Sequence, residues 1–258
     1  MYNTHKSNRS LSEKIMRQIF TAMPYVPPKE PEPIVAWLRE HATKRRISRG
    51  EVLKYGGEAN RLFYLEKGLC AYFIAGELTG RASILSLLPP GRTMGDMTAS
   101  IGAQCNVLTQ ALSDSLVWVI PPALFREAIF ANPTLAQLKF HHAVLKEEST
   151  LEGMVANFTR PATERLKILF KALLLDASPP LADQPWQKIP YRLTDEVLGQ
   201  VVNLARPNVS AILSHWRQAG LMKKVGNERW VHEALFQDIF DWLERPDRPK
   251  PDWTPKLG

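Results

Sequence analysis

The sequence predicts an α+β chain: an N-terminal antiparallel β-roll of jelly-roll type, a long helix suited to dimerisation, and a C-terminal winged helix-turn-helix. Three observations predict it. Between Ile47 and Ile120, short β-rich runs alternate with glycine- and proline-bearing turns, at the spacing of about 8–12 residues that marks a sandwich or barrel. The stretch "LAQLKFHHAVLKEESTLEGMVANF" then runs without a proline and with apolar residues on one stripe. Finally, "GQVVNLARPNVSAILSHW" holds two apolar-periodic segments that meet at "NLARP".

The totals agree with a globular chain. Of 258 residues, 45% are hydrophobic and 23% charged, which is neither a disordered nor a fibrous composition. No apolar run reaches the roughly 18 residues of a membrane span. The polar opening "MYNTHKSNRSLSEKIMRQIF" lacks the apolar centre of a signal peptide, so a cytoplasmic location and no membrane partner are expected. Cys70 and Cys105, the two cysteines, cannot supply a disulfide framework or a four-thiolate metal site. Small core residues are the expected role for both.

In chain order, residues 1–33 are expected to be a flexible extension. A short amphipathic helix, Leu11–Phe20, would lead into "PYVPPKEPEP", whose five prolines prevent a regular element. Residues 34–130 form the β-roll domain, opened by a helix over Ile34–His41. Residues 131–160 hold the dimer helix, with Leu135, Leu138, His142, Leu145, Leu151, Val155 and Phe158 expected to face a second copy of the chain. His141 and His142 fit polar filler on an exposed helix. If His142 lay in the seam, protonating both copies would load it with like charge. Residues 161–244 form the winged helix-turn-helix, and residues 245–258 a disordered tail.

The helix-turn-helix can be read residue by residue. Thr194 is placed to cap "DEVLGQVV", with Asp195 and Glu196 at the positive end of the helix. Gly199 sits inside that helix, at a cost of about 1 kcal/mol relative to alanine, which makes sense where another backbone comes close. Asn203 occupies the turn, which needs a residue tolerant of positive φ. Pro207 suits the first turn of the next helix. Val209, Ile212, Leu213 and Trp216 form its buried face, leaving Arg206, Asn208, Ser210, Ala211, Ser214 and Arg217 outward or at the tip. Small and hydrogen-bonding residues headed by an arginine suit a helix that reads the major groove. "GLMKKVGNERWVH" then gives a hairpin turned at Gly226-Asn227, a wing whose Lys223, Lys224 and Arg229 suit phosphate contacts.

Charge points the same way. The net charge is +7, which suits an anionic partner. Residues 1–50 carry ten Lys/Arg against four Asp/Glu, and residues 190–231 six against three.

"LTDEVLGQVVNLARPNVSAILSHWRQAGLM" resembles the reading unit of the Crp/Fnr superfamily of bacterial transcription regulators. Upstream, "LFYLEKGLCAYFI", "RASILSLLPPGRTMGDM" and "LVWVI" resemble that family's cyclic-nucleotide-binding β-roll, so the likeness spans roughly residues 45–235. It implies a homodimeric regulator whose partners are double-stranded DNA and a second copy of itself, with RNA polymerase as a further candidate. Arg206 matches the arginine that contacts a guanine. Pro207 stands where the family carries glutamate, Ala211 where it carries a second base-reading arginine, and Ala205 where it carries a capping serine. The binding mode is therefore expected to transfer and the operator sequence not.

In the implied effector pocket, Gly95, Asp96 and Met97 match the family's Gly-Glu-Leu, whose acid holds a ribose. The Arg-Ser pair that grips the cyclic phosphate falls on Cys105 and Asn106. Without that arginine a buried phosphate has no counter-charge, so cyclic AMP is not expected as effector. No cofactor or metal is expected, and the effector is unknown. Hydrolase, P-loop and zinc-protease motifs are absent, so the chain does not read as an enzyme. The rival reading is a ligand-sensing β-roll that acts through a protein partner, with the helix-turn-helix as a docking module.

Overall fold

A computed structural model of the chain describes residues 22–74, 82–177, 184–237 and 239. The expected Leu11–Phe20 helix and the 245–258 tail lie outside them. The described elements begin with α1 (Glu32–His41), β1 (Thr43–Ile47), β2 (Val52–Lys54), β3 (Leu62–Lys67) and β4 (Cys70–Ile74). They continue with β5 (Ser83–Leu88), β6 (Thr93–Met94), α2 (Asp96–Ser100), β7 (Leu108–Ala111) and β8 (Ser115–Ile120). Then come α3 (Pro122–Ala131), α4 (Pro133–Thr159) and α5 (Ala162–Ala177). The C-terminal unit holds β9 (Trp186–Lys188), α6 (Asp195–Val202), α7 (Arg206–Gln218), β10 (Met222–Val225), β11 (Glu228–His232) and a 3-10 turn, Glu233–Phe236.

Two antiparallel four-stranded sheets, ordered β1-β8-β3-β6 and β2-β7-β4-β5, make the β-roll. Ile47, Leu53, Phe63, Leu65, Cys70, Leu88, Met94, Ala111 and Val117 fill the space between them. They come from both sheets, as a sandwich core requires. Cys70 and Cys105 are both free and buried, in keeping with small core roles. α1 buries Ile34, Val35 and Leu38 against Trp118, Phe125 and Ile129.

The proline-rich stretch departs from expectation. Residues 22–31 are not a flexible extension; they form a strap clamped between the β-roll and α4. Tyr25 and Val26 are fully buried. The strap's carbonyls accept from the Leu87 N–H (on Tyr25 O, 2.8 Å), Ser149 Oγ (on Met23 O, 2.6 Å) and Arg92 Nε (on Pro27 O, 2.9 Å). Prolines exclude helix and ladder, but an extended chain still satisfies its carbonyls when neighbouring side chains supply donors. Arg92 is itself buried and ion-paired with Asp176 on α5, which ties strap, sheet and helix together. Gly153 on α4 makes room for the strap: a Cβ there would come within 2.9 Å of the Tyr25 ring.

α4 spans 27 residues, about 40 Å. Asn132 caps it, its side-chain oxygen accepting from the N–H groups of Thr134 and Leu135. Its facing corrects the expected dimer stripe. Leu135 and Leu138 pack partly buried against the α1–α3 cluster. His142 is buried inward, and Leu145 is half-buried. Of the expected seam only Leu151, Val155 and Phe158 are exposed. The outward apolar row is Phe140, Val144, Leu151, Met154 and Phe158, which keeps the alternating three- and four-residue steps of a heptad with Glu147 in the gap. The face α4 turns to its own β-roll carries Lys139, His142, Lys146, Ser149, Glu152, Gly153 and Ala156. A polar row was the buried one because it meets buried acids. That inward placement also removes His142 from any seam between copies.

Candidate functional site

The helix-turn-helix is built as its sequence dictates. The Thr194 hydroxyl accepts from the Val197 N–H at 3.2 Å and caps α6. Asn203 ends α6 in the left-handed region, φ 52°, and α7 starts within three residues. The close approach at Gly199 comes from the turn: a Cβ there would lie 2.5 Å from the Leu204 carbonyl oxygen, and the Val209 side chain of α7 is 3.5 Å away. Val209, Leu213 and Trp216 are buried, and the Trp216 ring meets Phe170 of α5 edge-on at 6.0 Å. These anchors leave Arg206, Pro207, Asn208, Ala211, His215, Arg217 and Gln218 exposed. A cleft of about 350 Å³ separates the leading end of α7 from Ala82 and Ser83, which precede and open β5.

Not every expected DNA-facing residue is free. Ser210 is half-buried, and its hydroxyl donates to Asp195 Oδ2 at 2.6 Å. Arg229 pairs with Asp195 Oδ1 at 2.6 Å and donates to the Leu193 carbonyl. Asp195 therefore holds α7 and the β10–β11 hairpin to each other, and Ser210 and Arg229 serve that join. Ser214 is half-buried. Lys223 is exposed, but its ammonium stacks 4.0 Å from the Trp186 ring centre. Lys224 and Asn227 are exposed on the wing. β9 adds a third strand to the hairpin, Val231 pairing with Gln187; a run of three residues is too short to give a periodic signal. His215, also exposed, went unremarked because histidine in the last turn of a helix reads as a C-terminal charge.

Between the β-roll, strap and α4 lies a second site, a cleft of about 170 Å³. Gly95, Asp96, Met97 and Asn106 line it as expected. Cys105 does not; its thiol is turned toward the Ala59 carbonyl, 3.7 Å away. The wall also includes Pro27, Lys54, Tyr72 and Lys146, none of which the sequence singled out. Asp96 is buried and engaged: Oδ1 is 2.7 Å from Lys146 Nζ and Oδ2 2.5 Å from Lys139 Nζ. Burial alone would raise its carboxyl, but the two ammonium groups outweigh that and hold it well below the usual carboxylate range.

Lys139 also reaches Glu30 of the strap, at 2.8 and 3.1 Å. Burial works against the Glu30 carboxylate too, yet the Lys139 ammonium pulls it below its ordinary value. Burial lowers His142 to about 4. The neutral ring fits its surroundings, with Nε2 donating to the Pro28 carbonyl at 3.2 Å and Nδ1 facing Lys139. Glu30, Asp96 and His142 cluster closely enough to resemble a metal-ligand set, but the Lys139 ammonium already stands among them.

Residues 44–132 match the family described as the cyclic nucleotide-binding domain. Compared with curated proteins, the chain matches none. Among solved structures it is similar to FixK2 from Bradyrhizobium japonicum, with a TM-score of 0.63 at 18% identity over 74% of this chain and 92% of that one. It is similar to the c-di-GMP-responsive global regulator CLP from Xanthomonas campestris, with a TM-score of 0.61 at 17% identity over 78% and 98%. A transcriptional regulator of the CRP family from Thermus thermophilus gives a TM-score of 0.59 at 20% identity over 74% and 94%. Residues 44–132 are thus a cyclic-nucleotide-binding-type domain, set in a chain whose described residues carry the fold of the Crp/Fnr transcription regulators.

Proposed function

We propose that the protein is a homodimeric, sequence-specific DNA-binding regulator of transcription, with the cleft beside Asp96 as its effector pocket and an effector other than cyclic AMP. The observation that carries this reading is the exposed leading end of α7, where Arg206, Pro207 and Asn208 are open to solvent, Arg206 and Pro207 at the cleft that faces Ala82 and Ser83, while Val209, Leu213 and Trp216 anchor the helix. Arg206 can pair two-pronged with a guanine edge, and Lys224 on the wing can meet a phosphate. A second copy is the natural occupant of the outward heptad row on α4, whose Phe140 and Phe158 are 73% and 78% exposed. Rings that open to water gain most from burial across a seam. Two reading helices would then address half-sites about one helical turn apart. Against cyclic AMP stand Asp96, already engaged by Lys139 and Lys146, and a cleft of about 170 Å³, small for a nucleotide.

Selection of bound fragments from random duplex DNA, followed by salt titration, tests the reading. Affinity for the selected site should fall steeply with salt concentration as phosphate contacts release counterions. Arg206→Ala should cost about 1–3 kcal/mol on that site and relax the preference at one base, whereas Lys224→Ala should weaken all duplexes alike. Phe158→Asp should leave a folded monomer by sedimentation and lose tight binding to a two-half-site duplex. Absence of duplex binding at low salt would instead favour a protein partner for the helix-turn-helix.

A further inference from the structure

The cleft holds a charge that its surroundings do not answer. Lys54, the last residue of β2, points into the fold and is 1% exposed. Among the described residues its ammonium has no hydrogen-bond acceptor, and it stands 5.5 Å from the centre of the Tyr72 ring. A buried ammonium without an acceptor is costly, and burial drives Lys54 toward its neutral form.

The neighbouring charges do not cancel it. Glu30 and Asp96 supply two buried negative charges, which Lys139 and Lys146 match one for one. His142 is neutral, and Glu147 at the cleft is exposed to water. Among the described residues that line the cleft or pair with Asp96, one positive charge remains over, on Lys54, in the wall of the cavity.

We propose that this cleft binds a small organic monocarboxylate, its carboxylate on the Lys54 ammonium and its apolar body against Leu85, Val107 and Pro27. All three of those side chains line the cleft with Lys54. A single negative charge neutralises the surplus. A free phosphate dianion would overshoot it beside Asp96; a cyclic phosphodiester carries a single charge and is set aside by size. The cavity, about 170 Å³, is close to the size that admits benzene and is small for a nucleotide. Pro27 belongs to the strap, so the ligand would touch β2, strap and the edge of α4 at once. The inference deepens the reading of this cleft as an effector pocket and does not depend on DNA binding.

The probes are benzoate, its neutral isostere benzamide and acetate, titrated into the full chain at constant ionic strength against chloride, with calorimetry and thermal unfolding as readouts. Benzoate at about ten times its Kd should raise Tm by roughly 3–6 °C, and benzamide should not. Lys54→Met should stay folded by circular dichroism, since it removes an uncompensated buried charge, and should bind benzoate about 10- to 100-fold more weakly. Lys54→Arg keeps the charge and should keep binding within a few fold; it also serves if Lys54→Met does not fold. No shift with either carboxylate, an equal shift with benzamide, or undiminished benzoate binding by Lys54→Met overturns the proposal. Duplex binding is scored separately: its loss with carboxylate binding intact sinks the regulator reading alone, and the reverse sinks this one alone.

Discussion

Replacing Tyr25 by alanine tests the strap directly. The ring is 1% exposed and fits where α4 carries Gly153. Its hydroxyl donates to Asn157 Oδ1 at 2.9 Å. Truncating a fully buried aromatic side chain costs about 3–5 kcal/mol, and leaving the Asn157 oxygen without its donor adds about 1 kcal/mol. The sum, about 4–6 kcal/mol, is a large part of the 5–15 kcal/mol that typically holds a domain folded. Tyr25→Phe should cost only the hydroxyl's share, about 1 kcal/mol. Urea unfolding followed by tryptophan fluorescence suits the question, because Trp216 lies in the same hydrophobic cluster as Tyr25. A loss below about 1 kcal/mol for Tyr25→Ala would show that the strap does not occupy this place in solution and would refute the argument.

Acid should destabilise the protein in a defined window. His142 is lowered to about 4 in the fold against an ordinary 6.5, so the unfolded chain binds more protons between those values. Its contribution, at most about 3 kcal/mol, is full above pH 6.5 and disappears as pH falls to 4; His142→Gln should flatten the dependence of the urea midpoint on pH across that range. Asp176→Asn leaves the buried Arg92 without its counter-ion and should cost about 3–5 kcal/mol, while the double variant Arg92→Met, Asp176→Leu should recover most of it. Gly199→Ala gains helix propensity, worth about 1 kcal/mol, but forces a Cβ to 2.5 Å from the Leu204 oxygen. The net result should be a loss of about 1–3 kcal/mol by thermal unfolding.

Local rules were legible wherever one residue type had one physical reason to be there. Asn203 in the turn, Pro207 in the first turn of α7, Thr194 as cap and the Val209-Leu213-Trp216 anchor were all readable, because each depends on neighbours a few residues away. Longer-range choices were not. Five prolines announce an extended segment, but nothing in "PYVPPKEPEP" says that Arg92, Ser149 and Leu87 will bind its carbonyls. Apolar residues on α4 suggested one stripe, whereas Lys139, Lys146 and His142 turned inward to meet Glu30 and Asp96, acids distant in sequence. Arg229 looked like a phosphate contact because its partner Asp195 sits thirty-four positions earlier and had been assigned to the helix dipole. Lys54 carried no sequence signal at all: a lysine ending a short strand reads as solvated, and only the fold encloses it.

One hydrophobic cluster joins Tyr25 and Val26, the sheet residues Ala71, Ile84 and Leu87, and Leu198, Val201, Leu213 and Trp216 of the reading unit. Asn157 bridges the same parts, accepting from Tyr25 and donating to the Val201 carbonyl at 3.0 Å. A fragment started at Glu32, where secondary structure invites the cut, would therefore lose a wall of its own interior and leave greasy surface on both the β-roll and the helix-turn-helix. The β-roll and the helix-turn-helix would not separate into two well-behaved pieces. They share a seam that a short run of prolyl chain keeps closed.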